Sequence, residues 1–252
     1  MRCLAVDVGN TSTALGVVLP GGVRYVEHVR GGISDREGVE RALARILKRG
    51  AVKGVVLGSV VPGDNRRWIK MLRKHVGQDP MLVTHASKLS VTIDYPKPAT
   101  IGADRLANAC GAVAKHGAPV IVADFGTALT FDVIASGGVY VGGVIAPGLP
   151  LMTDYLADRT ALLPLIRLRG RCSWVGRSTE GAMRIGAHIG YRGMVREIVE
   201  HLKVGLGSTP VTLCATGGFA EWVLSGADMP FSVAPNLTLQ GLGCIFELND
   251  NS

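Results

Sequence analysis

Two aspartates stand at the ends of apolar runs, and each is followed by a glycine and several hydroxyl side chains. Asp7 follows a run that begins at Leu4, and Asp124 follows a run that begins at Val120. A buried, unpaired carboxylate is strongly unfavourable, so we expect both aspartates at strand ends that face solvent, a cation or a ligand. A carboxylate beside hydroxyls and backbone N–H groups is what phosphate with Mg²⁺ requires.

The first of these stretches, taken alone, favours a plain hairpin with a polar tip, because Asp, Gly and Asn are common turn residues. Gly9 is followed by Asn10, Thr11, Ser12 and Thr13 before the apolar return. The second stretch repeats the design, with Gly126 and Thr127 after Asp124, 117 residues beyond Asp7. Two copies in one chain indicate a duplicated domain with a phosphate loop in each copy.

Each copy continues as three extended segments followed by alternating helices and strands, the order of a ribonuclease-H-like domain. The predicted fold class is therefore α/β, with two tandem ribonuclease-H-like domains of duplicated topology and the active site in the cleft between them. We place the domains at residues 1–117 and 118–252, joined by a helix over 103–116. Further helices are predicted over 65–76 and 178–202, and a capping box of Ser34 and Glu37 predicts a helix start.

Asp104 and Arg105 lie in the first turn of the predicted 103–116 helix. The helix dipole favours an ionised carboxylate there, and such a carboxylate can accept a proton from a substrate hydroxyl during phosphoryl transfer. Arg105 could hold a substrate carboxylate through two hydrogen bonds. An aspartate that only stabilises its helix would give the same pattern, and the sequence alone does not decide between a catalytic and a structural role for Asp104.

The predicted 178–202 helix contains four glycines, Gly181, Gly186, Gly190 and Gly193. Each glycine costs about 1 kcal/mol relative to alanine in a helix interior. Their presence suggests that another backbone packs closely against this helix, either within the fold or across a subunit interface.

The chain carries a formal net charge of +7, concentrated in residues 66–74 and 167–171. Aromatic residues make up only 5% of the sequence and are not interleaved with these cations, so we expect no nucleic-acid binding. A basic surface, or attraction for anionic small molecules, is the better interpretation. The five scattered cysteines, the absence of a signal peptide and the lack of an apolar run of about 18 residues predict a soluble cytoplasmic protein with no membrane contact.

Taken together, these motifs resemble those of the type III pantothenate kinases, in the acetate and sugar kinase, heat-shock chaperone and actin superfamily. The resemblance runs through nearly the whole chain, in segments 7–11, 102–105, 124–130, 142–148, 160–164, 176–193, 215–218 and 237–241. It implies ATP-dependent phosphorylation of pantothenate, the first step toward coenzyme A, with Mg²⁺ arriving with ATP.

The resemblance also implies roles for individual residues. Asp104 matches the catalytic base, and Asp124 matches a residue that binds a monovalent cation, K⁺ or NH₄⁺. Thr179 matches a residue that reaches the pantothenate site from the other subunit of a homodimer. The implied ATP phosphate contacts are Asp7, Val8, Gly9, Asn10, Thr11, Ser12, Thr13, Ala14, Gly126 and Thr127; the implied pantothenate contacts are Tyr95, Gly102, Ala103, Asp104, Arg105 and Thr179. The second domain would carry the adenosine side and the dimer helix.

One departure from the family pattern is Leu129, which stands where the family usually has a second threonine after Thr127. This puts one hydroxyl contact in question. Two alternatives stay open: a non-catalytic regulator on the same fold, since proteins once named as accessory transcription factors share this family's sequence, and a kinase for another small alcohol. The intact Asp104 and both loop aspartates favour catalysis.

Overall fold

The structure is a computed structural model that describes residues 2–168, 173–225 and 227–250. The strands are β1 (Cys3–Val8), β2 (Ser12–Leu19), β3 (Gly22–Arg30), β4 (Gly54–Ser59), β5 (Met81–Leu82), β6 (Thr92–Ile93), β7 (Val120–Phe125), β8 (Ala128–Ala135), β9 (Val139–Pro147), β10 (Thr212–Thr216) and β11 (Phe231–Val233). The helices are α1 (Arg36–Leu47), α2 (Asn65–Val76), α3 (Ala103–His116), α4 (Leu149–Arg159), α5 (Thr179–Leu206), α6 (Ala220–Leu224) and α7 (Leu237–Asp250).

The chain forms two compact units that are not continuous in sequence. The first unit comprises residues 1–118, 136–141 and 236–252, and the second comprises residues 119–135 and 142–235. The last helix, α7, falls in the first unit because it packs on α3 and on strands β1, β2 and β4. The boundary at residue 117 between two continuous duplicated domains stays a prediction.

The first unit is built on a five-stranded sheet with the order β3-β2-β1-β4-β5. Strands β1 and β2 are antiparallel neighbours, whereas β4 runs parallel to β1. Apolar side chains of α1 and α2, including the fully buried Trp68 and Leu43, pack into the core cluster beside this sheet. Close packing of α7 depends on small residues, since a Cβ at Gly58 would lie 2.9 Å from the side chain of Leu242.

The strands of the second unit belong to a six-stranded sheet with the order β11-β10-β7-β8-β9-β6. Its strands β9-β8-β7-β10-β11 repeat the order of the first sheet, and β6 adds an edge strand beside β9. Strand β8 is antiparallel to β7, and β10 and β11 continue the sheet in parallel. The buried core of this unit includes Phe125, Phe131, Tyr191 and Val195, so one face of α5 packs against the sheet residues. The identical strand order confirms the duplicated ribonuclease-H-like fold.

Helix positions follow the sequence closely, with local differences. The helices predicted over 65–76 and 103–116 have those bounds, and α5 extends beyond the predicted residue 202 to Leu206. The predicted cap at Ser34 is wrong: Ser34 ends a short 3₁₀ turn, and the side chain of Asp35 accepts a hydrogen bond from the Gly38 N–H at 2.9 Å. Residues 169–171 of the second basic segment lie outside the described residues.

Within the part of the chain that the structure describes, none of the helices combines the length and the apolar character needed to cross a membrane.

Candidate active site

The first predicted phosphate loop joins β1 to β2. Asp7 is half-buried near the end of β1, opposite Ala14 on β2 and Gly58 on β4. The Gly9 N–H donates a 3.0 Å hydrogen bond to the Ser12 carbonyl oxygen, which closes a tight turn. Asn10, Thr11 and Ser12 are therefore held on the exposed tip of the loop.

The residues on either side of this exposed tip, Val8 and Thr13, are buried. Val8 is only 2% exposed, so it offers a ligand its backbone rather than its side chain. Thr13 is fully buried, and its Oγ1 has no hydrogen-bond partner among the described residues. The Thr11 carbonyl oxygen accepts a 3.1 Å hydrogen bond from the Gly31 N–H, which ties the loop to the residues after β3.

The second loop joins β7 to β8 and places Asp124 opposite Thr130 and Thr216. Gly217 has a positive φ of 91°, and a Cβ built there would lie 2.5 Å from Oδ1 of Asp124. The backbone after β10 therefore runs directly against the Asp124 carboxylate, a close approach that only glycine permits.

Gly148 holds the other side of the second loop. It has an ordinary extended backbone conformation, with φ −71° and ψ 164°. A Cβ at this position would overlap the carbonyl group of Thr127 and lie 2.7 Å from the carbonyl oxygen of Gly126. Thr127 itself remains exposed, so the loop combines a tightly packed backbone with an accessible hydroxyl.

Asp104 lies in the first turn of α3, as predicted. Its Oδ1 accepts a 2.8 Å hydrogen bond from the Arg105 N–H, and a Cβ at Gly102 would overlap this carboxylate. Burial raises the pKa of the Asp104 carboxyl above its ordinary value, while the Arg105 N–H and charge oppose that rise. The first-turn position alone favours the ionised form, but the desolvation that comes with burial outweighs it in setting the direction of the pKa shift.

Arg105 belongs to an aromatic cluster that includes one residue the sequence did not single out. The Tyr140 ring lies 6.0 Å from the Arg105 guanidinium carbon and 6.4 Å from the Tyr95 ring in an edge-to-face arrangement. The 2.9 Å bond from the Asp94 N–H to the Tyr140 carbonyl oxygen fixes the segment that carries Tyr95. Tyr140 follows the Gly137-Gly138 turn in an apolar strand. Its aromatic ring was the sequence feature that could have marked it as a candidate site residue.

The remaining predicted site residues lie at helix starts. Ala103 is the first residue of α3 and is buried, so its possible ligand contacts are through the backbone. Thr179 is the exposed first residue of α5, directly after Ser178, whose Oγ accepts a 3.1 Å hydrogen bond from the Gly181 N–H. The described residues do not include a group of three or more His, Cys, Asp or Glu side chains that could hold a metal ion.

Comparison with known proteins gives a consistent family match. A family model described as type III pantothenate kinase matches residues 3–201. The type III pantothenate kinase of Akkermansia muciniphila is 41% identical over 249 residues, which cover 99% of this chain and 100% of that protein.

Two solved structures resemble the fold at low sequence identity. A conserved putative Baf family transcriptional activator from Campylobacter jejuni has a TM-score of 0.63 and 16% identity, with 99% of this chain and 100% of that chain covered. A ROK family glucokinase from Streptomyces griseus, solved with glucose and AMPPNP, has a TM-score of 0.56 and 18% identity, with both chains covered completely (100% and 100%). At these identities the likeness shows the fold alone.

Proposed function

Because this chain belongs to the type III pantothenate kinase family, we propose that it transfers the γ-phosphoryl group of ATP to the primary hydroxyl of pantothenate in the cytoplasm. The product would be 4′-phosphopantothenate, which starts coenzyme A synthesis. The observation that carries the proposal is the half-buried Asp104 carboxylate at the start of α3, beside Arg105 and its two tyrosines.

Asp104 is the proposed proton acceptor. The hydroxyl oxygen of pantothenate forms a bond to the γ-phosphorus, the bond from that phosphorus to the β–γ bridging oxygen breaks, and ADP leaves with the electron pair. The hydroxyl proton passes to Asp104 late in a loose transition state, where a weak base is sufficient. The raised pKa of Asp104 makes it a better acceptor than an exposed aspartate.

Arg105, Tyr95 and the 102–105 segment are the proposed pantothenate contacts. The Arg105 guanidinium can donate two parallel hydrogen bonds to the pantothenate carboxylate. The Arg105 guanidinium lies over the Tyr140 ring, which in turn contacts Tyr95, and this neighbourhood of the three side chains supports the assignment. In this arrangement Arg105 would orient the substrate so that its hydroxyl meets Asp104.

We assign ATP phosphate binding to the two loops, residues 7–14 and 126–127, with Mg²⁺ bound mainly to ATP and water. Exposed hydroxyl and amide groups on the first loop, and the exposed Thr127, support this assignment. Asp124 is the proposed ligand of K⁺ or NH₄⁺, since its carboxylate lies at a strand end among the backbone groups around Gly217. Such a cation would offset the negative charge of the nearby phosphates.

A homodimer through α5 is the proposed assembly. A Cβ added at Gly186 or Gly193 would meet none of the described atoms within 4 Å, and Ile189 on the same side is 66% exposed. These glycines therefore do not serve packing within the described chain, and an interface with a second copy would give them a role. Thr179 at the start of this helix would then reach the partner's pantothenate site.

The Asp104→Asn variant tests the function. It keeps the shape and can still accept the Arg105 N–H, so folding and pantothenate binding should remain while turnover falls by about 10²–10⁴-fold. The measurement is ADP release with pantothenate and with a panel of other small alcohols, and the exposed Asp158→Asn is the matched control. Near wild-type turnover in Asp104→Asn would refute the assignment of Asp104 as the base. Release of ADP only with another alcohol would show that pantothenate is not the substrate.

The dependence of kcat/KM on pH provides a second test of Asp104. Asp104 must be ionised to accept the proton, and its pKa is raised, so kcat/KM should fall as the pH drops through a value above that of an ordinary aspartate. This acidic limb should be absent from the residual activity of Asp104→Asn. An unchanged limb in the variant would assign the titration to another group.

Complementation between Asp104→Asn and Thr179→Arg tests the shared site. Each variant should be inactive alone, whereas a mixed dimer would contain one doubly altered site and one intact site. Random reassortment makes about half of the dimers mixed, so roughly a quarter of wild-type sites should return. Verified subunit exchange without recovered activity would show that both residues act within one chain.

A further inference from the structure

One face of α2, within the basic segment 66–74, has no part in the proposed reaction. This face and the start of α1 surround a cavity of about 320 Å³. The residues that line the cavity are Ile33, Arg36, Arg67, Lys70, Met71 and Lys74. Its volume is in the range of small-molecule binding sites, which is about 300–1,000 Å³.

The helical repeat explains how these side chains converge. Arg67, Lys70, Met71 and Lys74 are spaced by three or four residues and therefore share one face of α2. Met71 and Ile33 are buried and form an apolar floor. The aliphatic stems of the arginines and lysines extend this apolar surface, and their charged heads remain at the rim.

The cations of this rim outnumber the carboxylates that face them. Glu40 contacts both Lys74 and Arg36 at 3.3 Å, and it lies 3.7 Å from His75. Asp64 contacts Arg67 at 3.1 Å, and the same guanidinium donates to the Ile33 carbonyl oxygen. Lys70 has no ion pair within the described ranges, so two carboxylates face four permanent cations.

We propose that this cavity binds a small organic phosphate that has an apolar body. A phosphate monoester carries up to two negative charges and several acceptor oxygens, which matches the excess of cationic donors at the rim. The apolar body would lie along the aliphatic stems of the rim residues, above the floor formed by Ile33 and Met71. The site involves none of the residues assigned to catalysis, and it does not depend on the proposed reaction.

The ligand is a free small molecule rather than a lipid headgroup in a membrane. Stable peripheral membrane binding combines the attraction of basic side chains to anionic lipids with exposed apolar side chains that insert beside them. Among the described residues, the large apolar side chains of α1 and α2 are not exposed. The concave shape of the cavity instead suits one small molecule.

Methionine-methyl NMR of the full chain provides the test, with hexyl phosphate as the probe. The Met71 methyl signal is assigned by comparison with Met71→Leu, and it should shift saturably as hexyl phosphate is added. Lys70→Gln should weaken this binding about tenfold, as expected when a charge-assisted hydrogen bond is lost. Arg66→Gln is the matched control, since it removes one positive charge from the same helix at an exposed residue outside the cavity.

The outcomes separate the possibilities. Inorganic phosphate should bind more weakly than hexyl phosphate, because the alkyl chain adds apolar burial. Equal affinity for both, or equal weakening in Lys70→Gln and Arg66→Gln, would reduce the site to general surface charge and overturn the proposal. Vesicles containing phosphatidic acid should not retain the protein; retention that Lys70→Gln abolishes would assign the site to a lipid headgroup instead. No shift at Met71 with any probe would also overturn it.

Discussion

The two loops of the duplicated fold occupy the same place in identical strand orders, yet they differ in length, side chains and packing. Three residues separate β1 from β2, whereas two separate β7 from β8. As a result, Asp7 lies opposite Ala14, while Asp124 lies opposite Thr130. The longer first loop displays more polar side chains, and the shorter second loop is held more firmly.

The glycines behind each loop show the difference in packing. Gly31 follows β3 with a φ of 73° and donates to Thr11, but a Cβ there would have no described atom within 4 Å. Gly148 follows β9 in an ordinary conformation, and a Cβ there would overlap the Thr127 carbonyl. Glycine is therefore required at position 31 for its left-handed backbone conformation, and at position 148 because it has no side chain.

This contrast suggests that duplication allowed the two loops to specialise. An exposed tip with several polar side chains suits the many oxygens of the phosphates, and a tightly packed backbone suits a bound cation that prefers fixed oxygen ligands. The proposed roles, phosphate binding by residues 7–14 and cation binding by Asp124, follow this division. Three pairs of variants at equivalent positions test it.

The largest expected effect is that of Gly148→Ala. The new methyl group would meet backbone carbonyls that cannot rotate away, so we expect the free energy of unfolding to fall by about 3 kcal/mol. Gly31→Ala is the matched change in the other copy and should cost only about 1 kcal/mol, from its left-handed backbone conformation. Urea unfolding of both variants measures the difference, and equal losses would contradict the unequal packing of the two loops.

The next effect concerns the cation. If Asp124 binds K⁺, replacing K⁺ with Na⁺ at constant ionic strength should lower the rate about tenfold in the wild type, a difference of about 1.4 kcal/mol. Asp124→Asn should bring the ratio of the two rates close to one, whereas Asp7→Asn should keep the wild-type ratio in its residual activity. Equal rates in both salts for the wild type would show that the proposed site binds no K⁺. If the ratio of the two rates were close to one in both variants, the K⁺ effect could not be assigned to the second loop.

The features that the sequence predicted are those encoded locally. The repeated strand–Asp–Gly pattern identified both loops, and the helices predicted over 65–76, 103–116 and 178–202 match α2, α3 and most of α5. The position of Asp104 in a first helical turn was equally local. A chain pattern can identify such elements because their hydrogen bonds and faces depend on nearby residues.

The features that could not be predicted depend on partners distant in sequence. Gly148 and Gly217 lie in segments that resemble the family pattern, but their contacts with Thr127 and Asp124 appear only in the folded chain. The burial that raises the pKa of the Asp104 carboxyl likewise depends on residues distant in sequence. Nor does the local sequence indicate that α7 packs in the first unit, with residues far from it in the chain.

The smallest expected effect lies at the first buried position of each return strand, Thr13 in β2 and Leu129 in β8. Both side chains are fully buried, but Thr13 carries a hydroxyl without a partner among the described residues, whereas Leu129 belongs to the apolar core. The hydroxyl expected at position 129 from the family pattern would therefore enter a buried apolar setting. Leucine at this position exchanges a polar contact for core packing.

Thr13→Val tests what the buried hydroxyl does. Valine has nearly the same shape and the same preference for strands, so the change removes only a hydroxyl whose desolvation is uncompensated. In the absence of nucleotide, the free energy of unfolding should rise by about 1 kcal/mol. The reciprocal change, Leu129→Thr, should lower it, since it removes apolar burial and adds a buried hydroxyl.

Urea unfolding with and without ATP separates the roles: a smaller stabilisation of Thr13→Val by ATP would mean that the hydroxyl contacts the nucleotide. A decrease in its stability without ATP would instead mean that the hydroxyl is already hydrogen-bonded in the folded protein, and the contrast between the two copies at this position would fail.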